Sequence, residues 1–500
     1  MPGLQGFSNG MFACMPVYSK AAVSAQCNAI ADAHWHMNVH YDHVMASSKK
    51  EVAQSRNVRL EREGICVRTP KLPRLRNVTI NGYRFRVSPI LDGLFRFMAE
   101  RHRIFKRRLE GRPAPWTDDP ILASYPFTNV FRVYDKTTQF VLHRVIPGGS
   151  QDMQESCFRV MLFRLFNHTG TWQLLQDHFG EISWRQFDLK QYESVLSAAY
   201  AARRTLYGHA YILPAPRFGA GGINAVNHLR LLQIMMDMNA PERLKRFQYL
   251  KDAHGWLCLF PSLSDFTALQ LLLDLNMLPH FKWNEDEWVA LGPGSMQCIQ
   301  KIFGEAVKGH EYEAFQYLHA TQHEHFSRLG FTPDLLPRLH PDHRPGITMV
   351  DLEHSLCECE KYSRERWPNI KGKRTQVGKS TFTPKSITIT ADLPAHWLEH
   401  PPSHVATPHR PPPIRAADGE PPEYEVSHIV AERVTRDSVQ YLIRWAGYAP
   451  HEDTWQNVAD LQGASMALRE WQSFKEDIHR KMAVYKHSDS IFGSSGNRRL

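Results

Sequence analysis

Several charged and polar side chains stand where the chain is otherwise apolar. Gln270 and Asp274 lie one turn apart, on one face of Ser264-Asp-Phe-Thr-Ala-Leu-Gln-Leu-Leu-Leu-Asp-Leu-Asn276, a helix otherwise made of leucines. Arg159 and Arg164 interrupt Cys157-Phe-Arg-Val-Met-Leu-Phe-Arg-Leu-Phe166, which reads as a helix buried nearly all round. Asp351-Leu-Glu-His-Ser-Leu-Cys-Glu-Cys-Glu-Lys361-Tyr362 puts Glu353, His354, Cys357 and Lys361 within two turns. A buried charge is costly unless it is paired or used. Taken singly, these residues read as an ion-pair lattice between helices; taken together, they also suit an internal acid–base pocket. A further segment, Leu291-Gly-Pro-Gly-Ser-Met-Gln-Cys-Ile-Gln-Lys301, is a tight glycine turn opening a helix. Such a turn leaves N–H groups free at a helix N-terminus, where an anion is favoured. Gly292, Gly294 and Ser295 are therefore candidates to hold a DNA phosphate.

Near the C-terminus Val439, Tyr441, Ile443 and Trp445 alternate, which predicts a strand with one apolar and one wet face. Gly447 marks a turn, and Leu468, Trp471 and Phe474 recur at helical spacing. The strings Tyr424-Glu-Val-Ser-His-Ile-Val, Tyr441-Leu-Ile-Arg-Trp-Ala-Gly-Tyr448 and Glu452-Asp-Thr-Trp455 resemble a chromodomain over roughly residues 422–478. The resemblance implies an aromatic cage of Tyr424, Trp445 and Tyr448 for methyl-lysine. A trimethylammonium group donates no hydrogen bond and is held by the electron-rich faces of aromatic rings. Glu452 and Asp453 would form an acidic rim facing a basic histone tail, with Trp455 in the small core.

A second resemblance is carried by Phe127-Thr-Asn-Val-Phe-Arg-Val-Tyr-Asp135, Phe158–Asn167, Lys251-Asp-Ala-His-Gly255, Phe266–Asp274, Leu291-Gly-Pro-Gly294 and Glu353-His-Ser-Leu-Cys357. In this order they resemble the helical domain named after the 5-hydroxymethyluracil DNA kinases, a family that includes the alpha-glutamyl/putrescinyl thymine pyrophosphorylases. The resemblance covers about residues 85–365. It implies a helix-hairpin-helix-related, glycosylase-like fold and chemistry on modified pyrimidines, such as transfer of an amino acid onto an activated thymine. Such chemistry needs a base for the nucleophile and cations for the leaving group. By residue type and motif position, Asp274 or Glu353 would be the base, and Arg132, Arg159 or Arg164 would steady a phosphate. Asn129 and Gln270 would read the base edge. The chain lacks a Gly-x-x-x-x-Gly-Lys-Ser/Thr loop, so no P-loop kinase is expected. The carboxylates beyond the glycine turn are Glu311 and Glu313, where a glycosylase would be expected to carry an aspartate.

The elements that must position these groups suggest a multidomain chain. It has a mainly all-α, glycosylase-like domain, and a small chromodomain built of a three-stranded antiparallel sheet and a C-terminal helix. The expected divisions are a partly ordered arm over 1–74, the helical domain over 75–365 and a Pro-rich linker over 366–421. The chromodomain follows over 422–480, and a disordered tail over 481–500. The linker is rich in proline, densest at Pro411-Pro-Pro413, and predicts a flexible tether. The net charge of +9 is spread along the chain, with local clusters at Arg101–Arg108 and Lys371–Arg374. These are solvated faces or contacts to nucleic acid. The eight cysteines form no Cys-x-x-Cys pair, which points to a reduced, intracellular chain. His34, His36, His40 and His43 have no accompanying cysteines, so neither a metal nor a cofactor is expected. No apolar run is long enough to span a membrane. The expected partners are a methylated histone tail and double-stranded DNA in the nucleus. A non-catalytic chromatin or DNA reader is the alternative, and a domesticated mobile-element protein a further one.

Overall fold

The structure is a computed structural model and describes residues 12–14, 75–218, 223–383, 389, 391–403, 423–435 and 438–492. The four clustered histidines of the N-terminal arm lie outside the described residues, as do 404–421 of the linker. The fold comprises two units: one takes Met1–Val17, Arg132–Leu291 and Thr390–Leu500, the other Tyr18–Phe131 and Gly292–Ile389.

In the first unit, β1 is the short strand Phe12–Cys14. In the second unit, β2 (Asn77–Ile80) and β3 (Tyr83–Arg86) form a hairpin. Its turn is Asn81-Gly82, both at positive φ, as a tight hairpin turn requires. The hairpin leads into α1 (Ile90–Leu109).

Next in chain order come α2 (Met153–Phe166), α3 (Asn224–Asp237), α4 (Leu250–Leu257) and α5 (Asp265–Leu275), all in the first unit. The helix starts follow local chemistry. Asp152 accepts from Gln154 N at 3.0 Å to open α2, and Ser264 with Thr267 forms a capping box on α5. In the second unit α6 (Pro293–Phe303) starts on a proline, ends at Gly304 with φ +78°, and packs against α7 (Met349–Arg366).

The C-terminal module has strands β4 (Glu423–Val434), β5 (Val439–Trp445) and β6 (Thr454–Asn457) in an antiparallel sheet, closed by α8 (Ser465–Phe492). Strand β1 pairs with the start of β4, with Ala13 opposite Tyr424. Helix α8 runs beyond residue 480, into the stretch where the sequence suggests a tail.

Two expectations change here. Strand β5 has no wet face over its last five residues: Leu442 and Arg444 are buried as well as Tyr441, Ile443 and Trp445. The second face is covered because the module packs on α4. A Cβ at Gly255 of α4 would lie 1.9 Å from the Val430 carbonyl oxygen, so the β4 backbone rests directly on the helix. The described end of the linker is likewise anchored. Trp397 is buried and its Nε1 donates to Asn276 O at 3.3 Å, while Glu285 N donates to Pro402 O at 2.6 Å. A buried indole and two fixed backbone contacts restrain this stretch, contrary to a tether that is flexible throughout. Among the described residues no helix is long and apolar enough to cross a membrane.

Candidate functional sites: an aromatic cluster and two buried carboxylates

The three aromatic residues expected to form a cage do come together. Tyr424 opens β4, Trp445 ends β5, and Tyr448 follows the turn at Gly447, which has φ +76°. The Tyr424 ring is 6.2 Å from Trp445 at 63° and 5.8 Å from Tyr448 at 81°. Trp445 is fully buried and its Nε1 donates to Thr454 Oγ1 at 3.1 Å; the tyrosines are half-buried. The rings rest on a core of Val426, Ile429, Tyr441, Ile443, Leu461 and Trp471. Trp455 is outside that core: it is half-buried beneath the Arg433 guanidinium, 4.2 Å from the ring centroid. Cation–π stacking on an amphipathic ring needs no burial.

The expected acidic rim divides. Glu452 is half-buried beside Tyr448's return, and its Oε2 accepts from Ala449 N at 3.0 Å. The Asp453 side chain is fully buried and turned inward. It takes Arg444 in two contacts, 2.5 and 2.9 Å, and Lys251 Nζ at 2.7 Å. Arg444 also donates to Asp252 Oδ2 at 2.8 Å and lies 4.7 Å from the Tyr249 ring centroid. Burial pulls the Arg444 pKa down, but Asp453 and Asp252 outweigh it and the net shift is upward. Beside this group Glu287 is pushed up to about 7 by burial, with Arg444 opposing and Asp252 and Asp453 adding to the rise. The pairing of Arg444 with α4 was missed in the sequence. The available signal was a lone arginine inside a buried strand, together with the charged pair of Lys251-Asp-Ala-His-Gly255.

The two candidate bases differ in their surroundings. Asp274, in the first unit, is clamped. Its Oδ1 is 2.6 Å from Arg132 Nη2, its Oδ2 is 3.3 Å from Arg164 Nη1, and Arg132 Nε donates to Gln270 Oε1 at 2.9 Å. Both arginines lie against Tyr211, 5.4 and 5.6 Å from the ring centroid, and Arg164 donates to the Tyr211 carbonyl. With both oxygens engaged by guanidinium groups, Asp274 fixes the arginines rather than offering a seat for a proton. Gln270 is likewise held by Arg132. Arg159 does not join this group: it donates to the carbonyls of Val145, Ile146 and Ser150 at 3.0, 2.9 and 2.7 Å, closing a helix end.

Glu353, in the second unit, is hydrogen-bonded through one oxygen only. Its Oε1 accepts from Gly292 N at 3.0 Å and from Ser295 Oγ at 2.8 Å. Its Oε2 makes no hydrogen bond among the described residues and lies 3.8 Å from His354 Nε2, within ion-pair reach of a protonated imidazole. Burial pushes its pKa up to about 7, with the Ser295 and Gly292 hydrogen bonds opposing. A buried carboxyl whose pKa is raised toward neutrality, with one oxygen not hydrogen-bonded and a histidine beside it, has the properties of a proton-transfer group. The same geometry bears on the glycine turn. Gly292 N and the buried Ser295 hydroxyl face Glu353, and a Cβ at Gly294 would lie 2.5 Å from Cys357 Sγ. The turn thus receives an internal carboxylate, and Gly294 permits the close crossing of α6 and α7. Asn129 also belongs to this unit, next to Thr128, whose N–H donates to Glu358 Oε2 at 2.9 Å. Glu358 pairs with Lys361 at 2.5 Å and Lys379 at 3.0 Å; burial raises its pKa, but these lysines outweigh it and hold it at about 2. This part of α7 is the ion-pair lattice that the sequence allowed.

Among the described residues, His254, Cys258 and Asp265 form a group of metal-ligand types. Cys258 Sγ is 3.8 and 3.7 Å from the two ring nitrogens of His254, hence on neither nitrogen's lone-pair axis, and His254 Nε2 contacts Asp265 O at 2.9 Å. That geometry is a packing contact.

Comparison with known proteins follows this division of parts. The profile described as 5-hmdU DNA kinase, helical domain, matches residues 88–372, and the chromo domain profile matches 424–474. A protein named 5-hmdU DNA kinase from Bacillus phage SP10 is 23% identical over 320 residues, covering 58% of this chain and 48% of the phage protein. Chromo domain-containing protein 1 of Schizosaccharomyces pombe is 39% identical over 56 residues, 11% of this chain and 6% of that protein. Chromatin-associated protein SWI6 of Cryptococcus neoformans is 37% identical over 62 residues, 12% and 28% respectively. The chain thus spans less than half the length of each of these relatives. No solved structure matches it.

Proposed function

Because this chain belongs to the family of the 5-hmdU DNA kinase helical domain and carries a chromodomain, we propose that it is a nuclear protein that binds methylated histone tails and acts on modified pyrimidines in DNA. The observation that carries the first half is the approach of three aromatic rings at the expected cage positions, Tyr424 standing steeply to both Trp445 and Tyr448. A quaternary ammonium fits such a group because it offers charge without hydrogen bonds. The test is titration of the chain with trimethylated and unmethylated histone-tail peptides; equal affinity for the two sinks the cage.

For the second half, the carboxyl that burial pushes up to about 7, with no hydrogen bond at Oε2 and His354 Nε2 3.8 Å from it, is Glu353, and this supports Glu353 over Asp274 as the acid–base group. A base of this kind takes a proton from an amine nucleophile as the new N–C bond forms at the exocyclic carbon of a pyrimidine. The C–O bond to an activating pyrophosphate breaks and that group departs. In the other unit, and taken by themselves, Arg132 and Arg164 have the chemistry to bind an anion such as a DNA phosphate, with Asp274 holding them in place. Mass spectrometry of nucleosides from DNA containing pyrophosphorylated 5-hydroxymethyluracil, incubated with the chain and an amino acid or polyamine, tests this. A new nucleoside absent with Glu353→Gln supports it. Intact DNA binding with no new nucleoside leaves a reader. One observation favours that second reading: the glycine turn and Glu353 satisfy each other, as they would in a purely structural helix cap.

A further inference from the structure

The chain segment that carries the cage is held from outside the chromodomain. After Tyr448 the chain turns through Pro450–Glu452 and enters β6. Two points of this return are gripped by α4. Lys251 Nζ donates to Pro450 O at 2.9 Å and pairs with Asp453 at 2.7 Å. Asp252 takes Arg444, the residue next to Trp445, and Arg444 takes Asp453 in turn. Two cations and two carboxylates alternate in a chain of ion pairs, Lys251–Asp453–Arg444–Asp252, and the Arg444, Asp252 and Asp453 side chains are at most 3% exposed. Neither Lys251 nor Asp252 lies within residues 424–474, where the chromo domain profile matches.

We propose that Lys251 and Asp252 are positioning residues for methyl-lysine recognition: helix α4 fixes the segment between Trp445 and β6, and so sets where Tyr448 stands. The inference rests on the reading of Tyr424, Trp445 and Tyr448 as a cage. Cation–π attraction requires each ring within about 6 Å of the cation, so a ring that moves loses its share. Tyr424 and Trp445 sit on paired strands, whereas Tyr448 lies between a glycine and the return that α4 holds. Without the grip from α4, the return that follows Tyr448 loses the contacts that fix its path, and the position of that ring shifts with it.

The experiment uses the full chain with Nα-acetyl-trimethyllysine amide as probe and Nα-acetyl-lysine amide, equally charged but unmethylated, as its control, titrated by NMR. Wild type, Lys251→Met, Asp252→Asn and Asp252→Glu are compared. The expected result is binding of the trimethyl probe weakened about tenfold in Lys251→Met and Asp252→Asn, the share of one ring. The control probe is unaffected, and Asp252→Glu largely recovers. Discrimination by wild type that persists unchanged in both variants overturns the proposal while leaving the cage reading intact. No discrimination by wild type overturns the cage reading itself. Should Asp252→Asn fail to fold, Lys251→Met decides, because Lys251 keeps its aliphatic stem and its side chain is already 16% exposed.

Discussion

Replacing Glu353 with glutamine should make the second unit more stable at pH 8 and not at pH 5. Glu353 is fully enclosed and its pKa stands at about 7 against an ordinary 4.5. A carboxyl whose folded pKa is raised is bound more tightly to its proton in the folded state. Its favourable contribution is complete below about pH 4.5 and is lost as pH rises through about 7. The displacement corresponds to about 3 kcal/mol between those limits. Glutamine cannot ionise, and its Oε1 can still accept from Gly292 N and Ser295 Oγ, the two groups that Glu353 holds. Neutral hydrogen bonds are weaker than charged ones, so roughly 1–2 kcal/mol of the gain should survive at pH 8. For a unit of this size that is an increase in Tm of roughly 3–6 °C, read by circular dichroism or calorimetry at pH 5, 6, 7 and 8. A variant less stable than wild type by the same margin at every pH would refute the reasoning: Glu353 would then be an ionised cap at all these pH values. Combined with loss of the nucleoside product in the same variant, the stability gain would mark Glu353 as a group retained for chemistry at a cost to the fold.

Three other outcomes follow from single contacts. Asp274→Asn should cost about 3–5 kcal/mol, because it leaves Arg132 and Arg164 buried beside a neutral amide; thermal melting checks it, and an unchanged melt counts against the clamp. That makes Asp274→Asn a poor control for activity, since loss of product would follow from loss of fold. Gly255→Ala places a methyl 1.9 Å from the Val430 carbonyl and should cost roughly 1–3 kcal/mol while weakening trimethyllysine binding through the α4–β4 seat. Unchanged stability and binding would mean that the chromodomain does not rest on α4. Glu358→Gln should destabilise by about 3–5 kcal/mol at pH 7, stranding Lys361 and Lys379. Its folded pKa is depressed, so the wild-type advantage is present above about 4.5 and fades as pH falls toward about 2; melts at pH 7 and pH 3 test that sign.

What the sequence made legible was what neighbours in the chain determine. The chromodomain resemblance implied Tyr424, Trp445 and Tyr448 as a group, and adjacent strands with a glycine turn place the Tyr424 ring 6.2 and 5.8 Å from the other two. The start of α5 at Ser264 is local too, since Ser264 and its neighbour Thr267 form the capping box. What remained hidden depends on partners far along the chain. Arg444 alternates as an outward residue of a half-wet strand, and only the approach of Asp252 buries it. Asp453 follows Glu452 and has the same charge, yet Lys251 and Arg444 draw it inward. Asp274 and Glu353 were equivalent as buried carboxylates, and only the arginines around one, and the oxygen without a hydrogen bond beside His354 on the other, separate their chemistry. Gly294 read as a place for phosphate because a glycine at a helix start suits either an anion or a close crossing; Cys357 Sγ shows the second.

The seat on α4 also changes how histone binding would aid action on DNA. A module on a free tether raises the local concentration of its neighbour by an amount that depends on linker length. Here the chromodomain and the Arg132–Asp274–Arg164 cluster belong to one unit, joined by consecutive contacts. Lys251 and Asp252 hold the cage segment, α4 carries them, and His254 of α4 meets the carbonyl of Asp265 at the head of α5. Asp274 lies on that same helix, α5. With such a seat, the reach from cage to arginines is set by packed helices and not by the proline-rich segment. Inserting ten or twenty Gly-Ser residues between 404 and 421 should therefore leave affinity for a methylated nucleosome unchanged. The same insertions in a Gly255→Ala background, where the seat is loosened, should lower it progressively. A decline with length in the wild-type background would mean that the chromodomain leaves α4 in solution and works as a tethered module.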